Sequence, residues 1–358
     1  AVPTITSGGP LVSGDTANFT ETYSNKNVGT SNKTLIPAGT VNDGNSGNNY
    51  SYSFVNFTTG TITARALTVS ATGVNKIYDG TTTATVTLSD NRVTGDVLTT
   101  SYTNASFTPD GNVANGKTVN VSGISISGTD AGNYTFNTTA TTTANITKAD
   151  ATVVVTPYTV TYDGNPHTAT VTSITGVNGE TGATVGTVTL NTTHTNVGTY
   201  NTDSWSFTGT ANYNNIAATT ITDTINKAHL TVKADDKSKT YDGLVYSPFT
   251  ATISGFVSPD TVAVVSGSAG FSGTATTATS AGSYTITPTL NTLSATNYDF
   301  TPFSNGTLTI DKANATFTVT PYTVTYDGNP HTATVSTING VNGETGATVG
   351  TVTLNTTH

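Results

Sequence analysis

The 358-residue chain has no cysteine and no methionine, and charged side chains make up only 9% of it. Each shortage excludes a chemistry. Without cysteine there are no disulfides, zinc–thiolate sites or thiol nucleophiles, although the absence alone fits either a reduced cytosol or a surface protein that never relied on disulfides. Twelve basic against 21 acidic side chains leave a net charge of −9, which offers no footprint for nucleic acid or for an anionic membrane face. No apolar run approaches the roughly 18 residues of a membrane span. The start lacks the basic and apolar regions of a secretory signal, which means little if the chain begins inside a longer one. Capping boxes that would open exposed helices are not visible.

What the chain has instead is threonine, 87 of them, close to a quarter of all positions. Threonine is β-branched, so it favours strands, yet its hydroxyl tolerates water. Hydrophobic residues at 34% suffice for small cores, and the low charge argues against charge-driven disorder.

The organisation comes from repeats. Tyr-Asp-Gly occurs at Tyr78, Tyr162, Tyr241 and Tyr326, with steps of 84, 79 and 85 residues. Ile-x-Lys-Ala starts at Ile146, Ile225 and Ile310, and Ile62 holds the same phase. A third marker, Val-x-(Gly or Pro)-(Asp or Glu), begins at Val12, Val93, Val177, Val257 and Val341. An Asn-Tyr pair comes late in each unit, at Tyr50, Tyr134, Tyr213 and Tyr298. These series divide the chain into complete units 66–149, 150–228 and 229–313, flanked by incomplete units 1–65 and 314–358. Segment 314–358 equals 150–194 at 39 of 45 positions, so a two-unit period of 164 residues is superimposed. The expected context is a window within a longer tandem array.

Within a unit the strand signal dominates. Thr159-Val160-Thr161-Tyr162 and Thr168-Ala169-Thr170-Val171 alternate with period two, and Gly- and Asn-rich turns recur every 8 to 12 residues. The expected fold is all-β, a tandem array of small antiparallel β-sandwich (Ig-like) domains of roughly seven strands. Valine, isoleucine, tyrosine and phenylalanine would fill the inner faces, with threonine, serine and asparagine outside. The joints Ile146 to Val153, Ile225 to Val232 and Ile310 to Phe317 contain no Gly or Pro, so the array is expected to form a stiff, elongated rod of roughly 30–40 Å per unit.

Lys76-Ile77-Tyr78-Asp79-Gly80, Lys239-Thr240-Tyr241-Asp242-Gly243, Ala281-Gly282-Ser283-Tyr284 and the closing Ile310-Asp311-Lys312-Ala313 carry a family resemblance. Units 66–149 and, incompletely, 1–65 resemble YDG-type repeats. Units 150–228, 229–313 and, incompletely, 314–358 resemble MBG-type repeats. The resemblance implies large bacterial surface proteins and adhesins, in which such modules form stalks or fibres beside adhesive domains. It implies an extracellular, cell-surface location and transfers no catalytic or binding residue.

Several residues look chemical. Asp163-Gly164-Asn165-Pro166-His167, repeated at Asp327-Gly328 to His331, sets an Asp and a His four apart, as acid–base work would need. The His has counterparts Thr83 and Tyr246, whereas the acid persists as Asp79 and Asp242 beside Gly80 and Gly243. Turn chemistry explains that better: the Asp bonds local backbone and the Gly accepts positive φ. Asp150, Asp235, Asp236 and Asp311 near the joints raise interdomain calcium, but no Asp-x-Asp-x-Asp-Gly loop accompanies them. Tyr134, Tyr213, Tyr298 and the lone Trp205 are expected in the core. No catalytic, cofactor or metal set stands out, and the chain does not read as an enzyme.

The function expected is a structural stalk or fibre segment whose partners are neighbouring repeats of the same chain and other copies in a fibre. One alternative is an adhesion module that binds glycan or protein on a host or cell surface, with Trp205 the only hint of a site. Another is a filament subunit that donates strands to its neighbour.

Overall fold

The structure, a computed structural model, describes residues 2–358. Among the described residues every long element is a strand, and the helical pieces are 3-10 turns of three or four residues, such as Ala131–Asn133 and Thr274–Thr277. The chain is all-β, as the β-branched composition and period-two patterning require. It divides into two compact units. The first is Ala1–Val153 with Ser173–Thr187 and Thr208–Ile216, and the second is Val154–Thr172 with Val188–Phe207 and Ala217–His358. The division runs through repeat 150–228, so each unit contains whole junctions between successive repeats.

In the first unit, Thr16–Tyr23, Gly29–Asn42 and Phe57–Ile62 form a three-stranded antiparallel sheet. Repeat 66–149 then builds a four-stranded sheet in the order Lys76–Ile77, Thr139–Thr147, Ala114–Ser122, Asn104–Thr108. Facing strands pair as Val69–Gly73 with Val86–Asp90, Thr99–Ser101 with Ser125–Ser127, and Arg65–Leu67 with Tyr134–Phe136. Between the layers lies a core of Leu67, Val69, Phe107, Val119, Val121, Ile124 and Ile146. Alternation makes it: Val119 and Val121 are buried while Asn120 between them is exposed. Each such side chain contributes about 1.5–3 kcal/mol by leaving water.

The second unit repeats the plan over 229–313. Ala251–Ser254, Ala228–Ala234 and Tyr298–Ser304 form one sheet, and Lys237–Thr240, Gly306–Asp311, Gly282–Thr289 and Gly270–Ser272 form the other. In Gly306–Asp311, Leu308 and Ile310 point inward while Thr307 and Thr309 face water. This is where threonine resides, on the wet side of half-buried strands.

Pairing is mostly antiparallel, with two parallel ladders in each of these repeats. Arg65–Leu67 runs parallel to Tyr134–Phe136, and Lys76–Ile77 parallel to Thr139–Thr147. Ala228–Ala234 runs parallel to Tyr298–Ser304, and Lys237–Thr240 parallel to Gly306–Asp311. Opening and closing strands that run the same way put the entry and exit of the chain at opposite ends of a repeat. The connection to the next repeat is correspondingly short. Ile216–Asn226 and Ala228–Ala234 are separated by Lys227 alone.

Candidate functional site at the repeat junctions

The sequence markers converge on the junctions, and they do so from both sides. On the leading side of a repeat, Val-x-(Gly or Pro)-(Asp or Glu) forms a tight turn. Asp15, Asp96 and Asp260 donate their N–H to the carbonyls of Val12, Val93 and Val257 at 2.9, 3.1 and 2.7 Å. The tyrosine of the Asn-Tyr pair seats this turn. Its hydroxyl accepts from the valine N–H in four repeats: Tyr50 from Val12 at 2.9 Å, Tyr134 from Val93 at 2.9 Å, Tyr213 from Val177 at 3.1 Å and Tyr298 from Val257 at 3.0 Å. The hydroxyl proton goes to the acid of the turn, from Tyr50 to Asp15 at 2.5 Å, Tyr134 to Asp96 at 2.6 Å and Tyr298 to Asp260 at 2.8 Å.

The same acid receives the tyrosine of Tyr-Asp-Gly from the preceding repeat. Tyr78 donates to Glu180 at 2.8 Å and Tyr162 to Asp260 at 2.9 Å, and Tyr241 donates to Glu344. Across two of these junctions the tyrosines also meet edge to face, Tyr78 with Tyr213 at 5.6 Å and Tyr162 with Tyr298 at 5.4 Å. At the first junction a lysine takes the acid instead: Lys26 Nζ lies 2.6 Å from Asp96 and 2.8 Å from Asp130.

A second clasp is made of amides. The asparagine of Asn-Tyr accepts, through Oδ1, the valine N–H of Asn-Val in the preceding repeat: Asn133 from Val28 at 2.8 Å, Asn212 from Val113 at 3.0 Å and Asn297 from Val197 at 3.0 Å. Its Nδ2 donates to the asparagine before that valine, Asn27 at 3.2 Å, Asn112 at 3.0 Å and Asn196 at 3.1 Å. Three junctions thus share the same pair of reciprocal hydrogen bonds.

The electrostatics follow from these contacts. The hydrogen bond to Glu180, aided by burial, raises the Tyr78 hydroxyl to about 12. Burial, then Asp260, raises Tyr298 to about 12. Lys26 and then Tyr134 hold the Asp96 carboxyl below the ordinary range, and Tyr241 does the same for Glu344. Asp96 and Glu344 are therefore ionised, and Tyr78 and Tyr298 are neutral donors, which is the combination the geometry uses.

The aspartates of Tyr-Asp-Gly serve their own turns. Asp79 Oδ1 accepts from Thr81 N–H at 2.8 Å, Asp163 from Asn165 at 2.9 Å, Asp242 from Leu244 at 2.9 Å and Asp327 from Asn329 at 3.0 Å. Gly80, Gly164, Gly243 and Gly328 have φ of +76°, +79°, +74° and +77°. Two of these glycines also face the junction: a Cβ on Gly80 would lie 2.4 Å from Asn178 Nδ2, and one on Gly243 2.0 Å from Asn342 Nδ2. His167 and His331 reach Asp163 and Asp327 at 2.9 and 2.8 Å, as second caps on exposed turns. Tyr134, Tyr213 and Tyr298 are buried, while Trp205 is half-buried. Of the joint acids, Asp150 bonds Asn214, Asp235 bonds Thr250 and Thr252, and Asp236 accepts from Thr307 N–H at 2.8 Å. Among the described residues no group of three or more His, Asp or Glu side chains could hold a metal ion. Sequence reasoning used the Tyr-Asp-Gly tyrosines and the turn acids as phase markers and gave them no role, and it missed the asparagines of Asn-Val. The signal that could have found them was the constant offset between the three series.

Comparison with known proteins bears on the same segments. A YDG domain model matches residues 63–144, and a model described as MBG domain (YGX type) matches residues 230–309. Among curated proteins none is similar in sequence to this chain. Of solved structures, a three-Ig-domain segment of titin is 7% identical, over 68% of this chain and 96% of that one, with a TM-score of 0.24. The N-terminal eight Ig domains of Down Syndrome Cell Adhesion Molecule are 10% identical over 86% and 48%, at 0.15. Bacteroides ovatus SGBP-B, in complex with a mixed-linkage heptasaccharide, is 14% identical over 76% and 72%, at 0.13. Superpositions this loose carry no functional argument. Among the described residues no helix is long and apolar enough to cross a membrane. Both matched domain families are non-catalytic in kind. The chain carries a YDG domain and an MBG domain in tandem, the mark of a surface or adhesin-like protein.

Proposed function

We propose that the chain is a spacer segment of an extracellular bacterial surface protein, a stalk or fibre that sets distance by stiff end-to-end repeats. In this reading 1–65 and 66–149 are YDG-type repeats, and 150–228, 229–313 and 314–358 are MBG-type repeats. The observation that carries it is recurrence: the motifs that keep constant phase are spent on junctions, not on a pocket. A binding or catalytic module would concentrate its distinctive residues in one repeat. A spacer needs every junction alike, and parallel opening and closing strands that lead the chain through each repeat. Reciprocal hydrogen bonds on both sides of a joint oppose bending, because any tilt stretches one set. Imaging of single molecules of the full chain tests this. Narrowly distributed angles between successive repeats are expected, with broadening in the combined variant Tyr78→Phe, Asn212→Ala, Tyr162→Phe and Asn297→Ala. Free bending of the unaltered chain would defeat the spacer reading, and specific binding of a glycan or protein to this segment would favour adhesion instead.

A further inference from the structure

The second unit contains a polar cluster that the junctions do not use. Asp223 lies on the strand Ile216–Asn226 and is fully buried. The Ile-x-Lys-Ala marker two residues later fixes its phase, and at the same phase stand Ala144 in repeat 66–149 and Leu308 in repeat 229–313, both buried. A carboxyl thus replaces a core methyl or isobutyl group in one repeat. Asp223 Oδ1 accepts from Tyr158 N–H at 2.8 Å, but Oδ2 has no hydrogen-bond donor among the described residues. Facing it from the strand Gly198–Gly209 is Asp203, 7% exposed and within hydrogen-bonding reach. Beyond Asp203 stands His194, whose Nε2 is 2.8 and 2.9 Å from the two Asp203 oxygens, with its ring stacked on Tyr200 at 3.5 Å. Tyr158, whose hydroxyl donates to the Thr192 carbonyl at 3.2 Å, and the buried Thr192 complete the surround. No lysine or arginine is among these groups.

Two carboxylates side by side in a dry interior repel, and the unpartnered Asp223 Oδ2 costs what its lost hydration was worth. One proton removes both penalties. We propose that Asp203 and Asp223 form a buried proton-binding site, in which Asp223 carries the proton and donates it through Oδ2 to Asp203, while His194 Nε2 holds Asp203 at hydrogen-bond distance. Burial, and then Asp203, push the Asp223 carboxyl upward in support. The repeat 150–228 is then closed by a proton at the place where its siblings use an apolar side chain.

The sign of the pH dependence follows. The folded state holds the proton more tightly than the unfolded chain, so its stabilisation is complete below the ordinary aspartate range. It is lost as pH rises through the raised folded value, by at most about tenfold in the unfolding constant per pH unit. Hydrogen exchange on the full chain, corrected for intrinsic rates, reads this locally. As pH rises above the ordinary aspartate range, protection of Gly198–Gly209 and Ile216–Asn226 is expected to fall relative to Gly282–Thr289 and Gly306–Asp311 by up to about tenfold per unit. Asp223→Asn, which supplies a permanent N–H donor, and Asp223→Leu, the residue of the sibling repeat, should both flatten that fall. A carbon-13 titration of the Asp223 carboxyl in the unaltered chain reads the same site without any substitution. Equal pH dependence in the two repeats, or an Asp223 carboxyl that titrates in the ordinary range, overturns the proposal.

Discussion

A tyrosine hydroxyl can donate one hydrogen bond while it accepts another, and the buried Tyr134 and Tyr298 use both capacities at once. Tyr298 accepts the Val257 amide and donates to Asp260, so Tyr298→Phe leaves a half-buried N–H unpaired and removes one of two donors from a carboxylate. The expected cost is about 1–3 kcal/mol in chemical denaturation. Tyr326→Phe is the control: that tyrosine is 95% exposed, and its substitution should stay within about 0.5 kcal/mol. Glycine offers a comparable pair. Gly343→Ala meets open space and suffers only its φ of +79°, about 1–2 kcal/mol. Gly243→Ala meets the same φ cost and the Asn342 side chain as well, so its excess loss over Gly343→Ala measures docking of the next turn. At this scale the sequence was half legible. Asp-Gly announced a turn because both residue types act locally. The role of Tyr241 was hidden, because Glu344 lies 103 residues away and nothing local points to it.

Strands are where the sequence spoke most plainly. Leu308 and Ile310 alternate with Thr307 and Thr309, and that period is enough to orient the whole strand Gly306–Asp311. Ile286→Ala on the paired strand Gly282–Thr289 should therefore cost about 2–5 kcal/mol, read as a shift in the denaturation midpoint, whereas Thr285→Ser on the exposed side should be near neutral. The parallel ladders were not legible. Alternation gives the face of a strand but not its partner, and the pairing of Ala228–Ala234 with Tyr298–Ser304 joins segments about 70 residues apart in sequence. The buried Asp203–Asp223 pair escaped for a related reason. An aspartate in a threonine-rich strand reads as an exposed residue until the fold turns its face inward.

Over the whole chain, the junctions make stability and coupling separable. The Asp96 and Glu344 carboxyls are held low by Lys26 with Tyr134 and by Tyr241, so their contribution is complete above the ordinary carboxylate range and lost as pH falls through the lowered values. Below about pH 4 the junctions should loosen while the apolar cores persist. The Val28 amide donates across the Asp96 junction and the Val121 amide sits inside a repeat, so acid should reduce exchange protection of the first well before the second. Simultaneous loss at both would mean that repeat and junction unfold as one.

The Asn–Asn clasp has a further consequence, in the currency of inheritance. Asn112 of repeat 66–149 and Asn196 of repeat 150–228 present the same partner to Asn212 and Asn297, so a closing edge of either repeat fits the same kind of opening edge. Unequal crossing-over between near-duplicate stretches such as 150–194 and 314–358 then inserts or deletes whole multiples of the pattern without a mismatched seam. Length becomes a trait that recombination adjusts in integer steps, and each new length arrives with its seams already matched.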